Sequence, residues 1–163
     1  MAQVYVGMGS NIEPERHIRS GLQALRGRFG PLAVSTIYAN PAIGFVGADF
    51  LNLVAGFETG LTVFEVAADL RAIEAAYPHG GQGSKQESRA LDLDLLLYDD
   101  LVLRANGLCI PRAEIIRHAF VLRPLAEVAG DRRHPVLGLT FSELWAAFDR
   151  ARARLTPVNL AAE

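Results

Sequence analysis

Leu91-Asp92-Leu93-Asp94-Leu95-Leu96-Leu97 is the stretch on which the reading of this chain turns. In an extended strand, side chains two residues apart share a face. Leu91, Leu93, Leu95 and Leu97 are therefore expected on one face, with Asp92 and Asp94 together on the other. Two like charges at that spacing repel and raise each other's pKa unless a cation lies between them. Mg2+ favours one or two carboxylates plus phosphate oxygens, so the pair suits a metal that arrives with a nucleotide. The plain alternative is two solvated carboxylates on the outer face of a half-buried strand. Aspartate is disfavoured inside strands, which shifts the balance a little towards function.

Working outward, Leu91–Tyr98 is the fourth strand of a simple series. Val4, Val6 and Met8 alternate with Tyr5 and Gly7 as a first strand, broken by Gly9-Ser10-Asn11. Ser10 or Asn11 is a candidate cap for a helix bearing Ile18, Leu22 and Leu25, which Gly30-Pro31 ends. A second strand is expected over Leu32–Tyr38, then a loop over 40–48 and a third strand over Phe50–Glu58. Thr62 with Glu65 forms a capping box for a helix through Val66, Leu70 and Ile73 to about Tyr77. A polar, glycine-containing loop over 79–88 leads into the acidic strand.

This order is βαββαβ, the split βαβ pattern of an α+β ferredoxin-like sandwich. Beyond it come one or two short strands in Leu101–Ile110. Ala113–Ala129 suggests a short helix and then a turn of another that starts at Pro124. A further helix is expected over Ser142–Leu155, with a possible cap at Thr140. A single domain over 1–155 with C-terminal helical additions is expected, and 156–163 reads as a loose tail.

Composition sets the outer limits. Half of the 163 residues are hydrophobic, enough for a sizeable core, and the net charge of -2 argues against a global nucleic-acid footprint. The single cysteine, Cys109, cannot form an internal disulfide, and no CxxC pair suggests zinc. The stretch Met1–Gly7 has no basic region followed by an apolar run, and nothing approaches a membrane span. A cytoplasmic protein with no membrane and no nucleic-acid partner is expected.

Two further features bear on chemistry. Gly80-Gly81-Gln82-Gly83-Ser84-Lys85 fails the P-loop spacing and follows a helix rather than a strand. It reads either as a lid over substrate or as a plain connection. Phe50 and Asn52 share a strand face, where a ring beside an amide suits a flat heterocycle; a core Phe with a structural Asn is the bland reading.

Together these residues resemble the 6-hydroxymethyl-7,8-dihydropterin pyrophosphokinase family of folate biosynthesis. The matching segments are Gly9-Ser10-Asn11, Tyr38–Asn52, Arg89-Ala90-Leu91-Asp92-Leu93-Asp94, Ile110-Pro111, and Phe120-Val121-Leu122-Arg123-Pro124-Leu125-Ala126-Glu127-Val128-Ala129. They span about residues 3–150, and the family fold is ferredoxin-like. The resemblance implies transfer of a pyrophosphoryl group from ATP to the pterin hydroxymethyl oxygen, with release of AMP. It implies Asp92 and Asp94 as holders of two Mg2+ ions, with Arg89 beside them as a catalytic, phosphate-contacting residue. The pterin is expected between Phe50 and Phe120, bonded by Asn52, with Asn40, Pro41 and Ile43 around its amino-keto edge. Glu74, His79, Arg89, Arg112, Arg117 and His118 are implied on the nucleotide side. The partners implied are a pterin and ATP, handled by a monomer, with a weak homodimer compatible.

The departures from the family pattern cluster on that nucleotide side. His79 stands for the usual arginine, Gly81 for a further basic residue, Gln86 for an aromatic one, and Glu87-Ser88 for Gly-Pro. Arg112 replaces a histidine, and His118 replaces a basic residue for which Arg117 could compensate; Phe50 stands for Tyr. Each lost charge-assisted phosphate contact is worth roughly 1.5–3 kcal/mol. The competing readings are a pterin-binding paralogue with weak or lost kinase activity, or an enzyme with a modified pterin or donor.

Overall fold

Strand β1 (Ala2–Ser10) pairs antiparallel with β4 (Phe50–Thr59) on one side and β5 (Asp92–Tyr98) on the other. Residues 1–41, 49–77 and 90–160 of this computed structural model are described. The second strand is broken into β2 (Ala33–Val34) and β3 (Ile37–Asn40), both antiparallel to β4. The sheet order β5-β1-β4-β3 is that of a ferredoxin-like α+β fold, as the element order predicts. The break has a physical cause. Ser35 Oγ accepts the Val54 N–H at 2.9 Å in place of a backbone carbonyl, and Glu127 takes the Thr36 N–H at 2.7 Å.

Helix α1 (Pro14–Phe29) and α2 (Val63–Ala75) cover one face of the sheet. Ile18, Leu22, Leu25 and Phe29 of α1 and Val66, Ala67 and Leu70 of α2 meet Val4, Val6, Leu93 and Leu95 there. The cap of α1 is neither Ser10 nor Asn11. Glu13 occupies that position in a left-handed conformation without a side-chain cap, and Pro14 starts the helix with its preset φ. The α2 capping box, Thr62 with Glu65, forms as its spacing predicts.

The opposite face carries the C-terminal half of the chain. After the hairpin of β6 (Leu103–Ala105) and β7 (Leu108–Ile110) come a 3-10 turn (Ala113–Ile116), α3 (Ala119–Ala129) and α4 (Phe141–Ala146). Leu122, Leu125 and Phe141 pack there against Tyr5, Val54, Leu96 and Leu97. Pro124 lies inside α3 instead of starting a new turn, so the helix lacks the N–H that would bond the Phe120 carbonyl. Leu97 also departs from the strict alternation. A β-bulge between the Tyr5–Leu97 and Val6–Leu95 pairs leaves Leu96 as the extra residue. Leu96 and Leu97 consequently both join the second core, while Leu91, Leu93 and Leu95 stay in the first.

The chain's end corrects two expectations. The helix begun at Phe141 stops at Ala146, because Asp149 caps a new 3-10 turn (Arg150–Arg152) through the Ala151 N–H at 3.0 Å. Residues 156–158 are not a loose tail: β8 (Thr156–Val158) pairs antiparallel with β3 and closes that edge of the sheet. Among the described residues no helix is long and apolar enough to cross a membrane. Thr62→Ala removes one half of the α2 capping box and is expected to cost about 1 kcal/mol. Urea unfolding measures this as a lower midpoint with an unchanged slope; an unchanged midpoint would show that α2 does not depend on its cap.

Candidate active site

The sheet register builds the site in rows. Asp92 pairs with Gly9, Gly9 with Asn52, and Asn52 with Tyr38. The next row is Asp94, Gly7 and Val54. On the other side of the first row, Asn40 pairs with Phe50. Paired residues share a face, so both aspartates, Asn52, Asn40 and Phe50 rise from the same side of the sheet. Gly9 is needed in the middle of the row. A Cβ at that position would stand 2.6 Å from Asn52 Oδ1, so any side chain would displace the amide. Asn52 Nδ2 donates to Asn40 Oδ1, and Asn40 Nδ2 donates to the Pro41 carbonyl at 3.1 Å. Both asparagines are buried and cross-linked at the cleft wall.

Above these rows lies a cleft of about 510 Å³. Its floor is Gly7, Gly9, Asn52 and the aspartates, and its walls include Asn40, Phe50, Arg112, His118 and Phe120. The His118 and Phe120 rings stack at 4.8 Å with 14° between their planes. Burial, above all, holds the His118 imidazole below its ordinary range; Glu114 opposes this, while Arg152 and Arg117 add to it. The ring is therefore neutral at physiological pH.

A second, smaller pocket of about 330 Å³ adjoins the first and shares Asp92, Asp94 and Arg112 with it. It is further lined by Arg71 and Glu74 of α2 and by Gly107–Ile110 of the hairpin. Arg112 stands at the junction, 3.4 Å from Asp94 and 3.4 Å from Glu114. Its own N–H bonds the carbonyl of the bulged Leu96 at 3.1 Å, so the bulge helps to place it. Glu74 accepts the Leu93 N–H at 2.7 Å, between the two aspartates on the edge strand. Burial raises its carboxyl from 4.5 to about 7, against the Leu93 hydrogen bond, with Asp92 and Asp94 adding to the rise.

The sequence-predicted residues divide accordingly. Asp92, Asp94, Asn40, Phe50, Asn52, Phe120, His118 and Arg112 meet at the larger cleft, and Glu74 at the smaller pocket. Pro41 is exposed beside Asn40 and does not line the cleft. Arg117 is exposed and is not among the residues that line either pocket. Ile43, His79 and Arg89, with the glycine loop, lie outside the described residues. Sequence reasoning missed Glu114 and Arg71. Arg71 had a signal, since it precedes Glu74 by three residues on the same helix face; Glu114 had none.

Two carboxylates, Asp92 and Asp94, stand at this junction, with Glu74 beside them in the smaller pocket. Among the described residues no three His, Cys, Asp or Glu side chains form a metal-type cluster. A hard cation here would rest on the two aspartates and on oxygens carried in by a substrate. The raised Glu74 makes a pH prediction. Its folded value, about 7, lies above 4.5, so the folded protein holds a proton that the unfolded chain releases. Stability is then expected to fall as pH rises through that window in metal-free buffer. Thermal melts of Glu74→Gln over the same window should fall less steeply, and parallel curves for the two proteins would contradict the assignment.

A family profile described as 7,8-dihydro-6-hydroxymethylpterin-pyrophosphokinase matches residues 5–130. A 2-amino-4-hydroxy-6-hydroxymethyldihydropteridine pyrophosphokinase of Pseudomonas aeruginosa is 35% identical over 153 residues, 89% of this chain and 91% of the relative. The enzyme of the same name from Aquifex aeolicus is 30% identical, covering 83% of this chain and 86% of its own length. Among solved structures, an HPPK-DHPS in complex with substrates superposes with a TM-score of 0.71 at 11% identity. That match covers 92% of this chain but 44% of the longer one, so it speaks for the fold alone. By profile and by relatives, this chain belongs to the 7,8-dihydro-6-hydroxymethylpterin-pyrophosphokinase family.

Proposed function

We propose that this chain performs the family's pyrophosphoryl transfer from ATP to hydroxymethyldihydropterin across the boundary between its two adjoining pockets. The observation that carries the reading is that Asp92 and Asp94 belong to both pockets at once. The larger cleft offers what a pterin needs: aromatic walls in Phe50 and Phe120, and a fixed amide pair in Asn40 and Asn52. A flat heterocycle gains from stacking, and its amino-keto edge gains from paired hydrogen bonds. The smaller pocket, with Arg71, Glu74 and Arg112, is the nucleotide side.

Asp92 and Asp94 would hold Mg2+, two ions in this reading, which when bound neutralises phosphate charge and orients an in-line attack. The chain's own groups do the rest. Asn52 and the stacked rings hold the pterin so that its hydroxymethyl arm reaches the aspartates. Arg112, already paired with Asp94, can turn a guanidinium N–H towards a phosphate oxygen. Arg89 is placed beside the phosphates by the same reading, on the strength of its position three residues before Asp92.

Relatives 30% and 35% identical are both named as pyrophosphokinases, which favours an active enzyme over a binding paralogue. Both pockets are built within one chain, in keeping with a monomer acting on two small molecules. A cytoplasmic setting fits the lone free thiol of Cys109 and the use of ATP.

Purified protein with ATP, Mg2+ and 6-hydroxymethyl-7,8-dihydropterin should release AMP; absence of AMP with tight pterin binding would select the binding paralogue. Asp94→Ala is expected to abolish turnover with an unchanged circular dichroism spectrum, and retained turnover would refute its role. Gly9→Ala should weaken pterin binding about tenfold by displacing Asn52, one bidentate-type contact being worth roughly 1–2 kcal/mol. Calorimetry on the intact chain reads this directly, and unchanged affinity would remove Asn52 from the pterin site.

A further inference from the structure

We propose that residues 149–158 form a strap that belongs to the substrate cleft, with Arg152 as a positioning residue for the His118–Phe120 wall. The proposal rests on the pterin reading of the larger cleft. The strap lies beyond the matched span of 5–130, so nothing in the family match assigns it a role.

It contacts the backbone at two places, each next in sequence to a residue that lines the cleft. At one end, Arg152 Nη2 donates to the Arg117 carbonyl at 2.7 Å. That carbonyl belongs to the junction between the 3-10 turn and α3, and the next residue is His118, the N-cap of α3. His118 in turn stacks on Phe120, one aromatic wall of the cleft. At the other end, Thr156 pairs with Ala39 and Pro157 with Tyr38 on β3. The residue after Ala39 is Asn40, which lines the facing wall and holds Asn52.

At the first of these ends the strap is seated on α4 and the residues that follow it. The Arg150 guanidinium lies 4.2 Å over the Trp145 ring, and that of Arg152 lies 5.1 Å from the Phe148 ring. Cation–π contacts of this kind favour this placement of the two arginines. Asp149 fixes the turn that presents Arg152. A segment read from sequence as helix end and tail thus ties the aromatic wall to the amide wall. Arg152 does not itself line the cleft, so it acts through Arg117 and His118.

The test uses the whole chain of residues 1–163 with Arg152→Met and Arg152→Lys. Loss of a charged hydrogen bond at the junction should raise KM for the pterin about fivefold and leave kcat within about twofold. Lysine retains a charged donor and should restore most of the affinity. A second readout is the His118 titration by NMR. The charged groups near that ring are Glu114, Arg117 and Arg152, so removing Arg152 should move its midpoint upward. Phe120→Ala serves as the control on the cleft itself. A raised pterin KM in Phe120→Ala but not in Arg152→Met would overturn the strap and leave the cleft reading intact. An unchanged KM in both would overturn the cleft reading and the strap with it. A lower melting temperature in Arg152→Met without a KM change would show a purely structural role and also overturn the proposal.

Discussion

The burial of Glu74 beside Asp92 and Asp94 is the constraint around which the site is arranged. A like-charged cluster is unfavourable unless protons or cations offset it, and here burial and crowding raise Glu74 to about 7. The sheet could have relieved the strain by turning one aspartate away. It cannot, because the strand pairing fixes both on one face and packs Leu93 and Leu95 into the core behind them. The charge is therefore fixed in place by the fold. Arg112 offsets part of it from the side, itself held by the backbone of the bulged strand.

The same register explains why the cleft has a floor. Two glycines of β1 sit between the aspartates and the residues of β4, so the strand between the acidic and amide groups carries no side chains there. The apolar core lies directly beneath, on the helix-covered face. Close packing below and open space above give a cleft whose acidic and amide side chains stand on a sheet, which favours fixed geometry.

Much of this was legible in the sequence. The alternation of Leu and Asp gave the face of the acidic pair, and the Thr62–Glu65 spacing gave the start of α2. What escaped had identifiable causes. The face of Leu97 depends on a bulge set by pairing with β1, which is a tertiary fact invisible in a period-two pattern. The break at Ser35–Thr36 depends on a hydroxyl and on Glu127, 91 residues away from Thr36. The start of α1 was governed by the proline rather than by the polar residues before it, and β8 was hidden by a short, proline-containing segment with weak strand signal.

Glu74 has one more consequence, for the sheet's outer edge. β5 ends the strand order, so its outward N–H and C=O groups form a template on which another extended chain could pair. Glu74 occupies the Leu93 N–H, and the Arg112 backbone N–H occupies the Leu96 carbonyl. Strand addition at this edge would have to displace both and bring a neighbouring backbone against a cluster of carboxyls. The groups that crowd the site thereby also disfavour strand addition along this edge of the sheet.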